Sequence, residues 1–527
     1  MQNAAPASSG RLQRGGKDPL QIVVVGAGVG GLVVSGVLAH KLGSRVEVTI
    51  IEKNADIGGR LQTIEEGGHR FDTGPSLLLM PQAYRAAFRS MGTQLEDHVQ
   101  LRRVEPAAYR VFFHDDAAGP SWLDLLYDVQ AMAAQLEAVE PGAAAAYLRF
   151  LANAKAAFDV GTKNFIEQDF RSFWDYANVP RLLPLLGKVS PIELLGPHAA
   201  RMATYFKDPR LRALVTFQDL YVGLSPRTAP GVFSLLAATE LLDGVWYPLG
   251  GFKKVGAGLL EAAKAAGVSV RRGTAVRSIQ TSGSSVQGVL LDDGTSIPAD
   301  VVVANPDLPY VYEHLLDGPE NQRKAARLAG LDYSAGVIEF CWCLDQPLPL
   351  LSHHSVFLSD EYERSWDRAT AAAALPQRPN FYVAAPSRTD PSAAPPGGDS
   401  IMVLLPVANL GQMDARDLDG LVAKGRAAVL RRLAEAGCGD VESHIVHETV
   451  TDPLDWRERY NLQHGAAFGL AHGLAQLAYF RPDLQDSRIK GLFFTGASTR
   501  PGNGVPLVMI GAQLTAQRIT EHLSASV

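Results

Sequence analysis

The residues best suited to chemistry stand near the N-terminus, where a short apolar run leads into glycines at positions 26, 28 and 31. Gly26 permits a tight turn, Gly28 lets the backbone approach a pyrophosphate, and Gly31 lets a helix pack closely on the strand. The helix N-terminus would offer N–H donors and a positive dipole to the anion. Glu52 stands 21 residues after Gly31, where a carboxylate can accept the hydroxyls of an adenosine ribose. The pattern predicts a dinucleotide site.

The elements that must position these residues follow from hydrophobic periodicity. Residues 22–25 are typical of a short buried strand, residues 32–39 carry one apolar helix face, and residues 46–50 alternate as a second strand. A βαβ unit of this kind implies a parallel sheet that is buried on both faces. Residues 21–39 carry no charge, but their glycines argue against a membrane span.

A second group of residues indicates which dinucleotide binds. Gly58 and Gly59 permit close backbone approach, and the fork of Arg60 can meet phosphate charge; a surface ion pair is the alternative for Arg60. A Gly- and Pro-rich turn at 496–506 leads from a strand into a helix whose N-terminus could face the O2 region of a flavin. A nicotinamide site needs none of this, so we predict FAD. The predicted FAD-binding residues are Gly26, Gly28, Gly31, Glu52, Gly58, Gly59, Arg60, Gly74, Pro75, Gly496, Gly504 and Val505.

Length and composition exclude several classes of protein. A chain of 527 residues and 56.5 kDa is long enough for two or three domains. Its 49 Lys and Arg against 55 Asp and Glu give a net charge of −6, so a nucleic-acid partner is not expected. The three cysteines provide neither a disulfide framework nor zinc-ligand spacing, and no metal site is predicted.

Motifs along the whole chain resemble the phytoene desaturase-type carotenoid oxidoreductases. The motifs that carry this resemblance are residues 26–31, Glu52, 58–60, 71–75, 247–251, 299–305 and 496–506. Residues 217–226, 381–388 and 460–465 resemble the fungal-like branch most closely. The resemblance implies FAD, a separate substrate domain, and dehydrogenation of a long polyene at or near a membrane.

The expected fold is therefore α/β, with a Rossmann-like FAD-binding domain of the glutathione-reductase and amine-oxidase type, a mixed-sheet substrate domain and a helical insertion. Ala- and Leu-rich helical patterns mark the insertion, and strand-like runs resume after it. The predicted division is a disordered tail at 1–19, an FAD-binding domain at 20–95, 243–310 and 486–527, a substrate-binding domain at 96–130 and 311–485, and a helical, membrane-facing cap at 131–242.

Desaturation needs few catalytic side chains, because the cofactor accepts the hydride. The hydride passes from an allylic carbon to flavin N5 while a neighbouring carbon loses a proton. Asp175 resembles the Asp of an Asp-x-x-Arg pair in bacterial relatives, although Asn178 stands where the Arg should be; a surface carboxylate is the other interpretation. His464 and His472 are placed similarly to family histidines, and either can be a hydrogen-bonded structural residue. The predicted catalytic residues are Asp175 and His464.

Three residues depart from the family pattern: Arg227, Asn409 and Arg500. An unpaired guanidinium beside a hydrocarbon is costly. If Arg227 lines the substrate tunnel, it should meet a carboxylate, either Asp219 or one on a polar-ended substrate.

A leucine-rich stretch at 181–196 is either a monotopic membrane contact or a buried helical hairpin. The predicted partners are a lipophilic polyene and a membrane surface. We expect a peripheral membrane protein, on a cytoplasmic face or in a plastid, and no secretion, because the first apolar run begins only at Ile22.

The sequence thus predicts an FAD-dependent oxidoreductase that desaturates a long apolar polyene. Carotenoid isomerisation or retinoid saturation on the same fold stays open. So does a catalytically silent flavoprotein that serves as a binding or assembly protein, which the three departures suggest. An amine oxidase is the weaker rival, because the motifs at 247–251 and 496–506 resemble the carotenoid enzymes.

Overall fold

The computed structural model describes residues 18–115, 119–176, 196–359 and 375–525. Its strands are β1 (Leu20–Val25), β2 (Val46–Ile51), β3 (Thr63–Glu66), β4 (His69–Asp72), β5 (Leu101–Arg103), β6 (Ala107–Asp115), β7 (Gly119–Leu126), β8 (Trp246–Pro248), β9 (Ser269–Arg271), β10 (Val276–Ser282), β11 (Ser285–Leu291), β12 (Ser296–Pro298), β13 (Val301–Ala304), β14 (Gly336–Leu344), β15 (His354–Phe357), β16 (Phe381–Ala384), β17 (Asp399–Val407), β18 (Ile445–Thr451) and β19 (Leu492–Phe494). Its α-helices are α1 (Val29–Leu42), α2 (Pro81–Ser90), α3 (Val129–Val139), α4 (Ala143–Gly161), α5 (Phe173–Tyr176), α6 (His198–Met202), α7 (Pro209–Leu214), α8 (Ser234–Ala238), α9 (Lys253–Ala265), α10 (Leu308–Tyr310), α11 (Pro319–Ala329), α12 (Leu418–Leu433), α13 (Pro453–Tyr460) and α14 (Val505–Ala525).

The predicted βαβ unit lies at the centre of a five-stranded parallel sheet with the order β19-β13-β1-β2-β9. Successive residues of β1 point to opposite faces of this sheet. Ile22 and Val24 belong to the core that contains α1, α9 and α14. Val23 and Val25 belong to the core under the three-stranded β10-β11-β12 sheet. Burial on both faces explains the uncharged apolar run and confirms the parallel sheet.

A seven-stranded sheet forms the second layer, in the order β18-β14-β17-β16-β15-β6-β7. The β15–β6 pair is parallel and the other pairs are antiparallel, which confirms the expected mixed sheet. On β14, Phe340 and Trp342 pack in the core that includes α12. The alternating residues Cys341 and Cys343 lie on the opposite face and pack near Phe71 of β4. The sheet therefore turns one face toward the residues around β4.

Between β7 and β8 the described residues form α3 to α8 and the turns that join them. This is where the sequence predicts a helical insertion. Residues 177–195, which hold Asn178 and nearly all of the leucine-rich stretch, lie outside the described residues, as does the tail up to residue 17. Within the described ranges, no helix combines the length and the apolar character needed to cross a bilayer.

The packing of β14 leads to a stability prediction. Trp342 is 0% exposed and Trp174 on α5 is 77% exposed. Trp342→Ala should lower the free energy of unfolding by about 3–5 kcal/mol because it leaves a cavity in the core. Trp174→Ala should change it by no more than about 0.5 kcal/mol. Urea titrations followed by circular dichroism measure both, and equal losses for the two variants would contradict this account of the core.

Candidate active site

A cavity of about 660 Å³ opens at the carboxyl edge of the parallel sheet. Val25 and Ile51, the last residues of β1 and β2, line it, and so does Asn305, which directly follows β13. The seven-stranded sheet and the helical region between β7 and β8 supply other walls. In open α/β sheets this edge is where ligands bind.

The turn between β1 and α1 forms the floor of the cavity. Gly26 has a φ of +94°, which side-chain-bearing residues rarely adopt. Gly28 is the N-cap of α1, and a Cβ there would lie 2.8 Å from the amide nitrogen of Asn305. A Cβ on Gly30 would lie 2.6 Å from the amide oxygen of Asn305. Asn305 thus packs against this turn, and residues Gly28 to Gly30 line the cavity, so the N-terminus of α1 borders the space in which an anion would lie.

Gly31 acts differently from the other predicted glycines. A Cβ at this position would lie 2.0 Å from the carbonyl oxygen of Gly26. The glycine therefore lets α1 pack against the turn, the role that its spacing indicates, and it does not line the cavity.

Glu52 directly follows β2 and its carboxylate is held by the backbone. Oε2 accepts a hydrogen bond from the N–H of Ala27 at 2.7 Å, and Oε1 accepts one from the N–H of Asn54 at 2.8 Å. The residue is 7% exposed and lines the cavity. Each carboxylate oxygen has a second lone pair, so both can still accept a ribose hydroxyl.

Arg60 lines the cavity beside Gly58 and Gly59, which have φ values of +95° and +61°. Its Nη1 donates to the carbonyl of Ala467 at 2.9 Å. Burial lowers the pKa of Arg60 from its usual value, and the nearby carboxylate of Asp307 opposes that shift. This guanidinium is buried beside the cavity, and no described residue forms with it the surface ion pair that was its alternative.

The remaining predicted FAD-binding residues also reach this cavity. Gly74 and Pro75 line it after β4, and Gly496 lines it after β19. Gly504 precedes α14 and Val505 is the first residue of that helix, so the N-terminus of α14 faces the cavity. Of the predicted set, Gly31 alone lies outside the lining.

Several polar residues at the site were not predicted. Asn305 and Asp307 follow β13 and line the cavity, and the hydroxyl of Ser498 donates to Asp307. Burial raises the pKa of Asp307, and a hydrogen bond from the N–H of Gln463 opposes the shift. Polar residues directly after a predicted parallel strand are the signal that could have found Asn305 and Asp307.

The donor set fits an FAD molecule. The N-terminus of α1 and the guanidinium of Arg60 suit its pyrophosphate, the N-terminus of α14 suits the O2 region of its flavin, and Glu52 suits its ribose. Trp456 on α13 lines the cavity, and its buried Nε1 has no hydrogen-bond partner among the described residues. A buried donor of this kind indicates a polar ligand group.

The same cavity also has many apolar lining residues. They come from α4, from the helical turns around α8 and from the start of α14. Such a lining can hold a hydrocarbon chain away from water. The apolar side chains that line the cavity include Phe158, Phe165, Ile166, Val232, Phe233, Leu235, Leu236, Leu477 and Leu507.

The two predicted catalytic residues lie outside the cavity lining. Asp175 accepts hydrogen bonds from the N–H groups of Arg171 and Ser172, both at 2.8 Å, and these bonds lower its pKa. A carboxylate stabilised in this way is a poor proton acceptor, so its other interpretation, a surface carboxylate, fits the structure. His464 adopts a φ of 56° and its Nε2 lies 3.0 Å from the carbonyl of Ala329, which is a structural contact.

His472, in contrast, is 2% exposed and lines the cavity. Its ring lies 6.3 Å from the ring of Phe233 in an edge-on arrangement. A Cβ on Gly502 would lie 2.3 Å from its Nε2, so the glycine makes room for the imidazole.

The residues that depart from the family pattern lie in different surroundings. Arg227 is exposed and does not line the cavity, so the condition under which it would meet a substrate carboxylate is not fulfilled. Its suggested partner Asp219 is buried and contacts His198 at 2.9 Å. Asn409 is buried outside the cavity, where its amide donates to the carbonyl of Ser334 at 2.9 Å.

Arg500 is the departure that does line the cavity. Its Nη1 donates to the carbonyl of Phe170 at 2.5 Å and its Nε to the carbonyl of Arg481 at 3.2 Å. Its Nη2 lies 3.4 Å from the carboxylate of Asp483. The protein itself thus satisfies this guanidinium.

Comparison with known proteins points to the same chemistry. A family model described as flavin containing amine oxidoreductase matches residues 29–520. Phytoene desaturase of Fusarium fujikuroi is 38% identical over 521 residues, which cover 94% of this chain and 89% of that protein. The zeta-carotene-forming phytoene desaturase of Myxococcus xanthus is 38% identical over 502 residues, with 95% and 93% covered. An oxidoreductase structure from Methanosarcina mazei shares the fold, with a TM-score of 0.61 at 18% identity and coverage of 95% and 100%.

A parallel sheet with a dinucleotide cavity at its carboxyl edge, covered by a mixed sheet, defines an FAD-dependent oxidoreductase of the amine oxidase type. The chain belongs to the flavin-containing amine oxidoreductase family and, within it, to the phytoene desaturase-type carotenoid oxidoreductases. Its cofactor is FAD, as the sequence predicts. The comparisons give the isomerase, saturase and binding-protein alternatives no support over a desaturase-type enzyme.

The turn geometry leads to a cofactor prediction. Gly28→Val would place a side chain against Asn305 and block the approach of the pyrophosphate, so the purified protein should be colourless. Gly420→Val is the matched control, because a Cβ on this exposed glycine of α12 meets nothing within 4 Å. Absorbance spectra give the flavin-to-protein ratio. A full flavin complement in Gly28→Val would show that the phosphates do not lie at this turn.

Proposed function

We propose that this enzyme desaturates a long apolar polyene of the carotene type. The observation that carries the proposal is that one cavity is lined both by the dinucleotide residues and by apolar side chains such as Phe158 and Leu236. Bound FAD supplies the hydride acceptor for such a reaction. The chain's own residues hold the polyene in line with the cofactor and keep water out.

The charges around the cavity support a hydrocarbon over a polar-ended substrate. Arg227, which would have bound a substrate carboxylate, lies at the surface. Arg500 reaches the lining, but its donors are occupied by Phe170, Arg481 and Asp483. A guanidinium satisfied within the protein provides no site for an acid end group.

Anaerobic mixing tests the reaction. The purified holoenzyme is mixed with phytoene, lycopene or retinol in liposomes, and the flavin absorbance is followed together with the products. We expect a carotene to bleach the flavin and to gain a double bond. A change of cis–trans geometry without net bleaching would indicate an isomerase, and reoxidation of pre-reduced flavin by retinol would indicate a saturase. Binding of a polyene without any of these changes would favour the silent binding protein.

We further propose that the substrate enters from a membrane to which the enzyme binds peripherally. The rings of Phe173, Trp174, Tyr479 and Phe480 are 47%, 77%, 38% and 62% exposed, and we call them the aromatic patch. Neighbouring rings of the patch lie 5.6–5.8 Å apart. Tyr176 contacts Tyr479 across 6.3 Å and also lines the cavity. Exposed aromatic side chains that contact a residue of the cavity lining suit a bilayer interface.

Liposome co-sedimentation tests the membrane contact. The double variant Trp174→Ser and Phe480→Ser should release the protein from liposomes and leave the flavin spectrum unchanged, because both side chains are exposed. Trp122→Ser is the matched control, since this tryptophan is 45% exposed on β7. Unchanged sedimentation of the double variant, or an equal loss in the control, would contradict the role of the aromatic patch.

A further inference from the structure

A buried carboxylate faces the cavity from the seven-stranded sheet. Glu339 lies on β14, where it is opposite Leu404 of β17 and Thr451 of β18. It is 1% exposed and lines the cavity together with Val337, two residues earlier on the same face of the strand. Glu339 is thus a titratable group in the cavity to which the sequence motifs assign no role.

The two oxygens of this carboxyl group differ. Oε1 lies 3.8 Å from the thiol of Cys341, which donates a weak hydrogen bond to it. Oε2 has no hydrogen-bond partner among the described residues. Leaving a buried carboxyl oxygen unpaired costs free energy that an apolar residue would avoid. Glu339 is therefore a lining residue whose carboxyl group the described residues do not fully satisfy.

Its surroundings favour the protonated form at neutral pH. Burial raises the pKa of Glu339 to about 8; the Cys341 thiol and the charge of Arg459 oppose the shift, while the charge of Asp72 adds to it. A proton acceptor works best when its pKa lies near the working pH. The titratable and charged groups facing Glu339 are Cys341 on its own strand, Asp72 on β4, and Arg459 and Tyr460 on α13.

We propose that Glu339 accepts the proton that the substrate loses, an inference that rests on the proposed desaturation. A hydride leaves one carbon with both electrons of its C–H bond and passes to the oxidised flavin. The neighbouring carbon gives its proton to the carboxylate of Glu339, and the electron pair of that second C–H bond forms the new C=C bond. The substrate loses two hydrogens, the flavin is reduced, and the carboxylate becomes a carboxylic acid.

Three other candidates, Asp175, His464 and Glu240, are less suited to this role. Asp175 and His464 lie outside the cavity lining. Glu240 is also fully buried, and burial raises its pKa to about 7. However, its Oε1 accepts from the hydroxyl of Tyr109 at 2.8 Å, its Oε2 accepts from the amide of Gln218 at 2.9 Å, and it does not line the cavity.

Glu339→Gln tests the proposal in the holoenzyme, because the amide keeps the shape but cannot take the proton. Flavin content and polyene binding should stay at wild-type levels, and flavin bleaching by phytoene should slow by about a hundred- to ten-thousand-fold. The wild-type rate should rise with pH to a plateau above about pH 8 as the carboxylate forms, and the residual rate of the variant should lack this rise. Glu240→Gln, the matched control, should keep it.

A second readout needs no turnover. A carboxyl group whose pKa rises from 4.5 to about 8 on folding binds its proton more tightly in the folded state. The free energy of unfolding that it contributes is complete below pH 4.5 and is lost as the pH rises through about 8. Urea titrations of the holoenzyme across this window should show a smaller loss for Glu339→Gln than for the wild type.

The outcomes separate this proposal from the proposed function. If the wild type desaturates phytoene and Glu339→Gln does so at an equal rate with the same pH profile, Glu339 is not the proton acceptor and the function stands. If the wild type desaturates no polyene, the function itself fails. In that case the urea titrations still report whether Glu339 carries a proton at neutral pH, and equal pH dependence of the two proteins would contradict the raised pKa.

Discussion

The close approach of backbone to backbone at the carboxyl edge of the parallel sheet is the constraint on which the rest of the structure depends. Gly31 lets α1 touch the carbonyl of Gly26, and Gly28 and Gly30 leave room for the amide of Asn305. These contacts hold the turn after the first strand against Asn305, the residue that follows β13. The position of the cavity floor, and hence of everything that lines the cavity, follows from them.

The cost of burying charge explains which polar residues the cavity can hold. Arg500 is tolerated in the lining because carbonyl groups and Asp483 occupy its donors. Glu52 is held by two backbone N–H groups in the same way. Glu339 lacks this support, and it avoids the cost of a buried charge by holding a proton at neutral pH. Of Glu52 and Glu339, the carboxyl group that accepts fewer hydrogen bonds from the protein is thus the one better prepared to exchange a proton.

Local sequence patterns predict the part of the cofactor site whose residues lie close together along the chain. The β1–α1–β2 unit, the glycines and Glu52 lie within one short segment, and their spacing predicts both the parallel sheet and the dinucleotide. Glu339 was missed because it is one charged residue in the apolar run of β14, whose two faces are both buried. Periodicity cannot tell which face borders a cavity. The exposure of Arg227 could not be predicted, because a resemblance transfers a position along the chain and carries no information about its exposure.

The order of strands in the parallel sheet has a consequence for synthesis of the protein. β1 at residues 20–25 is separated from the edge strand β19 by β13, and β19 comes from residues 492–494. Domains usually fold as units during synthesis, N-terminal part first. In this protein the cofactor site at the turn after the first strand is complete only when β19, Gly496 and α14 have been synthesised. The ribosome therefore releases most of this chain before FAD can be enclosed, and the early segments must meanwhile avoid aggregation through their unpaired strand edges.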